Sequence, residues 1–127
     1  MSVLNNSGLN ILVIDDNESI CKLLAFLLGQ EGFRMETALD GETAHRLLAD
    51  QAFHILIVDL HLPDMYGDTL ISFARERFPA VKTILISSHP DVMERAKACA
   101  ADLVYVKGDS VITLCEQVVA LAATIPR

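Results

Sequence analysis

The sequence predicts a doubly wound α/β fold: a five-stranded parallel sheet with helices on both faces. Three observations carry that prediction. Short apolar, β-branched runs, Ile11–Ile14, Ile55–Val58, Ile84–Ile86 and Leu103–Val106, are separated by helix-length segments, the mark of strands buried on both faces of a parallel sheet. The segments between them repeat apolar residues at helical spacing. Strand and helix alternate strictly, which implies parallel strands joined by right-handed crossovers.

Taken in order, the first strand runs into Asp15-Asp16, and Asp16-Asn17-Glu18 supplies capping and acidic first-turn residues. Ile20, Leu23, Leu24, Leu27 and Leu28 then define an amphipathic helix, closed by Gly32 in a left-handed cap. Phe33 to Thr37 reads as a second strand, and Asp40-Gly41 turns into a helix with Ala44, Leu47 and Leu48 inside. The third strand ends at Asp59. A loop from Leu60 to Asp68 holds Pro63 and Gly67, and a helix through Leu70, Phe73 and Ala74 runs to Phe78-Pro79. The fourth strand ends at Ser87-Ser88, and Pro90 suits the first turn of a short helix from Asp91 to Ala100. The fifth strand ends at Lys107. Asp109 or Ser110 caps a last helix that runs to about Ala123. For five strands the common doubly wound order is 2-1-3-4-5, with its switch point between strands one and three. That order sets Asp15, Asp16 and Asp59 side by side.

The 127 residues fit one domain, residues 1–127 with a core from residue 9 to residue 123, and no output domain is expected. A net charge of −7 without any basic stripe argues against direct nucleic-acid binding. No apolar run approaches the ~20 residues of a membrane span, and Met1 to Asn10 lacks the features of a signal peptide. A cytoplasmic location is expected. Cys21, Cys99 and Cys115 lack CxxC spacing and read as buried thiols. His45, His54, His61 and His89 show no zinc-ligand spacing.

Each polar residue named at a strand end lies at the carboxyl edge of the sheet, where open parallel sheets bind ligands. Each has an ordinary reading alone: an Asp-Asp pair caps helices, a serine makes turns, a lysine is a surface charge. Together they gather three carboxylates, a hydroxyl and an ammonium. Clustered carboxylates repel unless a cation intervenes, and Mg²⁺ takes one or two carboxylates plus a phosphate oxygen. Asp16 and Asp59 are the candidate direct ligands, with Asp15 holding a coordinated water and the backbone carbonyl of His61 completing the set. Asp59 is the candidate nucleophile toward phosphorus. Lys107 and the Ser87 hydroxyl would neutralise the remaining phosphoryl oxygens.

These residues resemble the receiver domain of two-component response regulators, across almost the whole chain. The matching pieces are Ile11 to Asp16, Val58 to Gly67 with its D-x-x-L-P-x-x-x-G pattern, Ser87-Ser88 and Lys107. The resemblance implies a flavodoxin-like sheet and phosphotransfer to Asp59 from a histidine kinase or a histidine phosphotransfer protein. Asp15 and Asp16 become the acidic pair, Ser87 the switch hydroxyl and Lys107 the phosphate-binding lysine. It implies a signalling domain with self-catalysed phosphotransfer and autodephosphorylation, not a turnover enzyme. A phosphatase of the haloacid dehalogenase type would need a second Asp two residues after Asp59, where this chain has His61.

Three departures from the family pattern fall after Ser87. Gly108 replaces the proline usual after the lysine. Val104 stands where a switch aromatic is usual, with Tyr105 one position late, and a one-residue shift reverses the face a strand side chain points to. The short Ser87 to Lys107 interval implies a trimmed fourth helix. These departures keep open a second reading, a degenerate receiver acting as a phosphorylation-independent interaction module. The last helix, apolar around most of its circumference, suggests a homodimer or effector contact.

Overall fold

The structure, a computed structural model, describes residues 6, 8–89 and 91–126. Pro90 and residues 1–5 lie outside the described residues. Five strands and five helices alternate: β1 (Asn10–Ile14), α1 (Glu18–Gln30), β2 (Arg34–Ala38), α2 (Gly41–Asp50), β3 (Ile55–Asp59), α3 (Gly67–Arg77), β4 (Lys82–Ser87), α4 (Val92–Cys99), β5 (Leu103–Val106) and α5 (Val111–Ala122). All pairings are parallel, and the strand order is β2-β1-β3-β4-β5, as the sequence predicts.

The period-two alternation of each strand divides the core into two layers. Leu12, Ile14, Leu56, Val58 and Leu85 face α2, α3 and α4, where Ala44, Leu48, Leu70, Ile71, Ala74 and Ala96 are buried. Ile11, Val13, Ile55, Ile57, Ile84 and Ile86 face α1 and α5, where Cys21, Leu24, Leu28, Leu114, Val118 and Ala122 are buried. Every residue of β3 is buried, because helices cover it on both faces.

Several local expectations shift. On α1 the sheet meets Cys21, Leu24 and Leu28, while Leu23 is 44% exposed. Successive residues are about 100° apart around a helix, so the apolar arc is wider than the strip the sheet can cover, and Leu23 falls beyond its edge. β2 begins at Arg34, one residue later than expected, and α3 begins at Gly67, inside the segment read as loop. The surplus apolar surface of α5 is narrower than its sequence suggests. Val111, Cys115, Val119, Leu121 and Ile125 are partly buried, leaving Ile112 as the exposed large residue there, while Phe26 on α1 is more exposed still.

The departure in the fifth strand takes the expected form. Val104 packs against the α2–α4 layer and Tyr105 against the α1–α5 layer, so the tyrosine occupies the opposite face. Gly108 adopts φ +107°, a conformation that L side chains rarely enter, and the described residues contain no cis peptide bond.

Candidate functional site

The carboxyl edge of the sheet gathers the charged residues. β1 is paired to β3 with Ile14 opposite Val58, so Asp15 and Asp59 emerge as neighbours from two strands buried throughout except at Asn10. β4 continues the edge: Asp59 lies opposite Ile86, with Ser87 next in line. Lys107 follows β5 and is held in register by its backbone N–H, which donates to the Ser87 carbonyl at 2.9 Å.

Asp15 is fully buried, and its Oδ1 accepts from the Asn17 N–H at 2.9 Å. Its Oδ2 forms an ion pair with Lys107 Nζ at 3.0 Å but accepts no hydrogen bond from any described residue. Asp59 is 5% exposed. Its Oδ2 accepts from Lys107 Nζ at 3.1 Å and its Oδ1 from the His61 N–H at 3.3 Å. Asp16 is exposed, yet one oxygen each from Asp15, Asp16 and Asp59 lie within 4.8 Å of one another. Three carboxylates face one ammonium.

The electrostatics follow from that imbalance. Burial raises the Asp15 pKa, the Asp59 charge adds to the rise, and the Asn17 N–H and the Lys107 ammonium oppose it. At Lys107 burial acts to lower the pKa, but contacts with Asp15 and Asp59 outweigh it and the net shift is upward. Cys21, whose Sγ donates to the Asp15 carbonyl oxygen at 3.2 Å, is pushed up to about 11 by burial and by the Asp15 charge. That makes it an unreactive thiol at neutral pH.

The donor set fits a hard divalent cation. It is all oxygen, it carries excess negative charge, and its fully buried oxygen, Asp15 Oδ2, has among the described residues only the Lys107 ammonium that Asp59 also shares. Ser87 is buried, and its Oγ accepts from the His89 N–H at 2.9 Å, which leaves its own proton free to donate. The His61 side chain is exposed and stands outside the carboxylate cluster. Its ring lies 4.8 Å from the His89 ring and 5.6 Å from the Tyr66 ring, centroid to centroid.

Gly67 explains why the loop after Asp59 can turn so tightly. A Cβ there would come within 2.8 Å of the Asp59 carbonyl carbon and 2.9 Å of Val58 Cγ1, and its N–H donates to the Leu60 carbonyl at 2.7 Å. Sequence reasoning missed the polar contacts around the rim. Asp64 binds the start of α2. Arg95 pairs with Asp68 at 2.9 Å and lies 4.4 Å from the Tyr66 ring centroid. At the opposite, amino edge of the sheet, where β4 and β5 begin, Asp102 accepts from the Thr83 N–H at 2.8 Å. Each joins residues far apart in sequence, and nothing in the local spacing announces them.

Comparison with known proteins agrees with this geometry. The family model described as response regulator receiver domain matches residues 11–107. The transcriptional regulatory protein FixJ of Rhizobium meliloti is 32% identical over 95 residues, 72% of this chain and 47% of that protein. A protein named as an NtrX-like response regulator from Rickettsia felis is 32% identical over 85 residues, 65% of this chain and 18% of its own. The chain thus spans about half, or less, of the length of the curated relatives it matches. Among solved structures, the response regulator TrrA of Thermotoga maritima, in complex with Mg²⁺-BeF, is 29% identical. It aligns with a TM-score of 0.81 over 89% of this chain and 98% of its own. A CheY-like receiver domain from Methanospirillum hungatei, 23% identical, shares the fold with a TM-score of 0.84 over 91% of this chain and 94% of its own.

Proposed function

The chain belongs to the response regulator receiver domain family, and on that premise we propose that Asp59 is its phosphoacceptor. The observation that carries this reading is the setting of Asp59. It is a buried carboxylate at a strand end, with Lys107 at 3.1 Å and two further carboxylates beside it. An Asp59 oxygen attacks the phosphorus of a phosphohistidine. The new P–O bond forms as the P–N bond breaks, and the electron pair leaves with the donor imidazole, which takes a proton from water. The carboxylate form of Asp59 is already the nucleophile, so the attack needs no general base.

The remaining residues stabilise charge on the transferred group. Lys107 meets one phosphoryl oxygen, and the Ser87 hydroxyl donates to a second. Asp15, Asp16, Asp59 and the backbone carbonyl of His61 would hold Mg²⁺, which when bound supplies positive charge against a third oxygen. Loss of the phosphate by attack of water follows from the same arrangement. A histidine kinase or a histidine phosphotransfer protein is the proposed donor, in the cytoplasm, and output passes to an effector or a second copy through a surface that includes α5. The phosphate-independent reading is disfavoured, since the acidic pair, the acceptor and the lysine are assembled together.

Acetyl phosphate with Mg²⁺, followed by intact-mass spectrometry, tests the assignment. One base-labile phosphoryl adduct is expected, absent from Asp59→Asn and from samples in EDTA. An adduct that survives in Asp59→Asn would overturn the choice of acceptor, and uptake undiminished in EDTA would remove the metal.

A further inference from the structure

Every helix begins with backbone N–H groups that lack an intrahelical partner. At α2 the side chain of the N-cap Asp40 accepts from the Thr43 N–H, at 2.8 Å. The two N–H groups before it are met from another loop. Asp64 Oδ1 accepts from Gly41 N at 2.8 Å, and Asp64 Oδ2 accepts from Glu42 N at 2.9 Å. Both oxygens of a carboxylate thus sit at the positive end of the helix dipole, a charge-assisted contact. The packing is equally close: a Cβ on Gly41 would come within 2.6 Å of Met65 Cγ and 3.2 Å of Asp64 Oδ1.

This contact joins the two halves of the acidic cluster. α2 follows Ala38, whose carbonyl accepts from the Asp15 N–H at 3.0 Å, so the start of α2 is registered to the strand end that bears Asp15 and Asp16. Asp64 belongs to the loop after Asp59. That loop is closed at its base by Gly67 N–H to the Leu60 carbonyl at 2.7 Å and by Leu62 N–H to the Met65 carbonyl at 3.1 Å. Its tip, with Pro63 and Asp64 exposed, reaches α2 through the Asp64 carboxylate.

We propose that Asp64 is a positioning residue: it ties the β3–α3 loop to the β1 side of the site and so fixes the spacing of the oxygens that hold the cation. The proposal rests on the Mg²⁺ reading given above. Sheet pairing at Ile14 and Val58 sets that spacing from below, and Asp64 sets it across the rim.

The test compares Asp64→Ala with Asp40→Ala, because both lose a cap of α2 and only the first loses the tether. Asp64→Ala should weaken Mg²⁺ binding about tenfold, the low end of what losing an outer-shell orienting group costs, read by isothermal titration calorimetry. It should also speed hydrogen exchange at the His61 and Leu62 amides. Asp64→Asn, which keeps one acceptor, should fall between. Asp40→Ala should lower the melting temperature and leave Mg²⁺ affinity within twofold of wild type. Unchanged affinity and exchange in Asp64→Ala would overturn the proposal, as would an equal loss of affinity in Asp40→Ala. A wild-type chain that binds no Mg²⁺ would sink the metal reading itself, and the exchange rates would then decide the tether alone.

Discussion

The β1–β3 end of the sheet sets Asp15 and Asp59 on strands buried throughout except at Asn10, and β4 is buried as well from Thr83 to Ser87, whereas Lys107 follows a lighter support, β5. α1 and α2 start with side-chain caps from Asn17 and Asp40, while α4 and α5 start with none. β5 is four residues long with only Tyr105 buried, and α4 closes on Ala100 at φ +59°. The difference matches what each end must do. A short carboxylate side chain can be placed only by fixing its backbone. A lysine reaches the same point over a flexible four-carbon stem, so its strand can be held less firmly.

Glycine substitutions test that contrast most severely. Gly67→Ala puts a Cβ against the Asp59 backbone, where no flexible side chain can yield. A loss of about 3 kcal/mol or more is expected, in the range of core overpacking. Gly108→Ala meets nothing within 4 Å. Its cost is the left-handed backbone alone, about 1–2 kcal/mol. Urea denaturation of both variants measures the gap. Equal losses would mean the two loops are equally constrained, and the contrast would fail.

The parts legible in sequence are those that local pattern determines. β-branched runs gave the strands, and the polar residue at the end of each run gave Asp15, Asp59, Ser87 and Lys107. The offset of Tyr105 from the position of Val104 gave its face, because strand geometry has a strict period of two. Helix faces were less legible. On α1 five apolar positions satisfy the helical period, and only packing against the sheet chooses Leu24 and Leu28 over Leu23. Long-range polar contacts were not legible at all. Asp64 looks like an ordinary turn residue until the fold brings the start of α2 against it.

A smaller effect comes from the charge buried at the β1 end. Folding raises the Asp15 pKa above its ordinary 3.8, so the folded chain holds that proton more tightly. The sign follows: Asp15 favours folding below 3.8 and opposes it increasingly as pH rises through the folded value. The pH dependence from Lys107 has the same sign but falls in the alkaline range. Its pKa is raised above 10.5, so its stabilisation is complete below that value and is lost as pH rises through the folded one. At neutral pH without metal, Asp15→Asn should therefore stabilise the chain by on the order of 1 kcal/mol, as relief of a poorly compensated buried charge does. The gain should shrink as pH falls toward 3.8. Added Mg²⁺ should stabilise wild type and not the variant. Thermal melts across pH decide, and a variant less stable than wild type at pH 7 would show that Lys107 already compensates the charge.

The smallest effect is expected at Tyr105, on the lighter side. Its hydroxyl donates to the Asp109 carbonyl, bridging the turn that carries Lys107 and Gly108. Burial raises the phenol pKa above 10.0, with the Asp109 and Cys115 charges adding to the rise, so the group remains a neutral donor at neutral pH. Tyr105→Phe keeps the ring in the α1–α5 layer and removes only that hydrogen bond. Asp109 is exposed, so water can replace the lost donor and the cost should be about 0.5–1 kcal/mol. Lys107 should stay in place, since its N–H bond to Ser87 and its contacts with Asp15 and Asp59 are untouched. Phosphate uptake from acetyl phosphate should therefore change less than twofold. A tenfold fall in uptake would mean that the β5–α5 turn positions Lys107 as strictly as Gly67 positions Asp59. The long side chain would then offer no latitude, and the two ends of the site would be equally demanding after all.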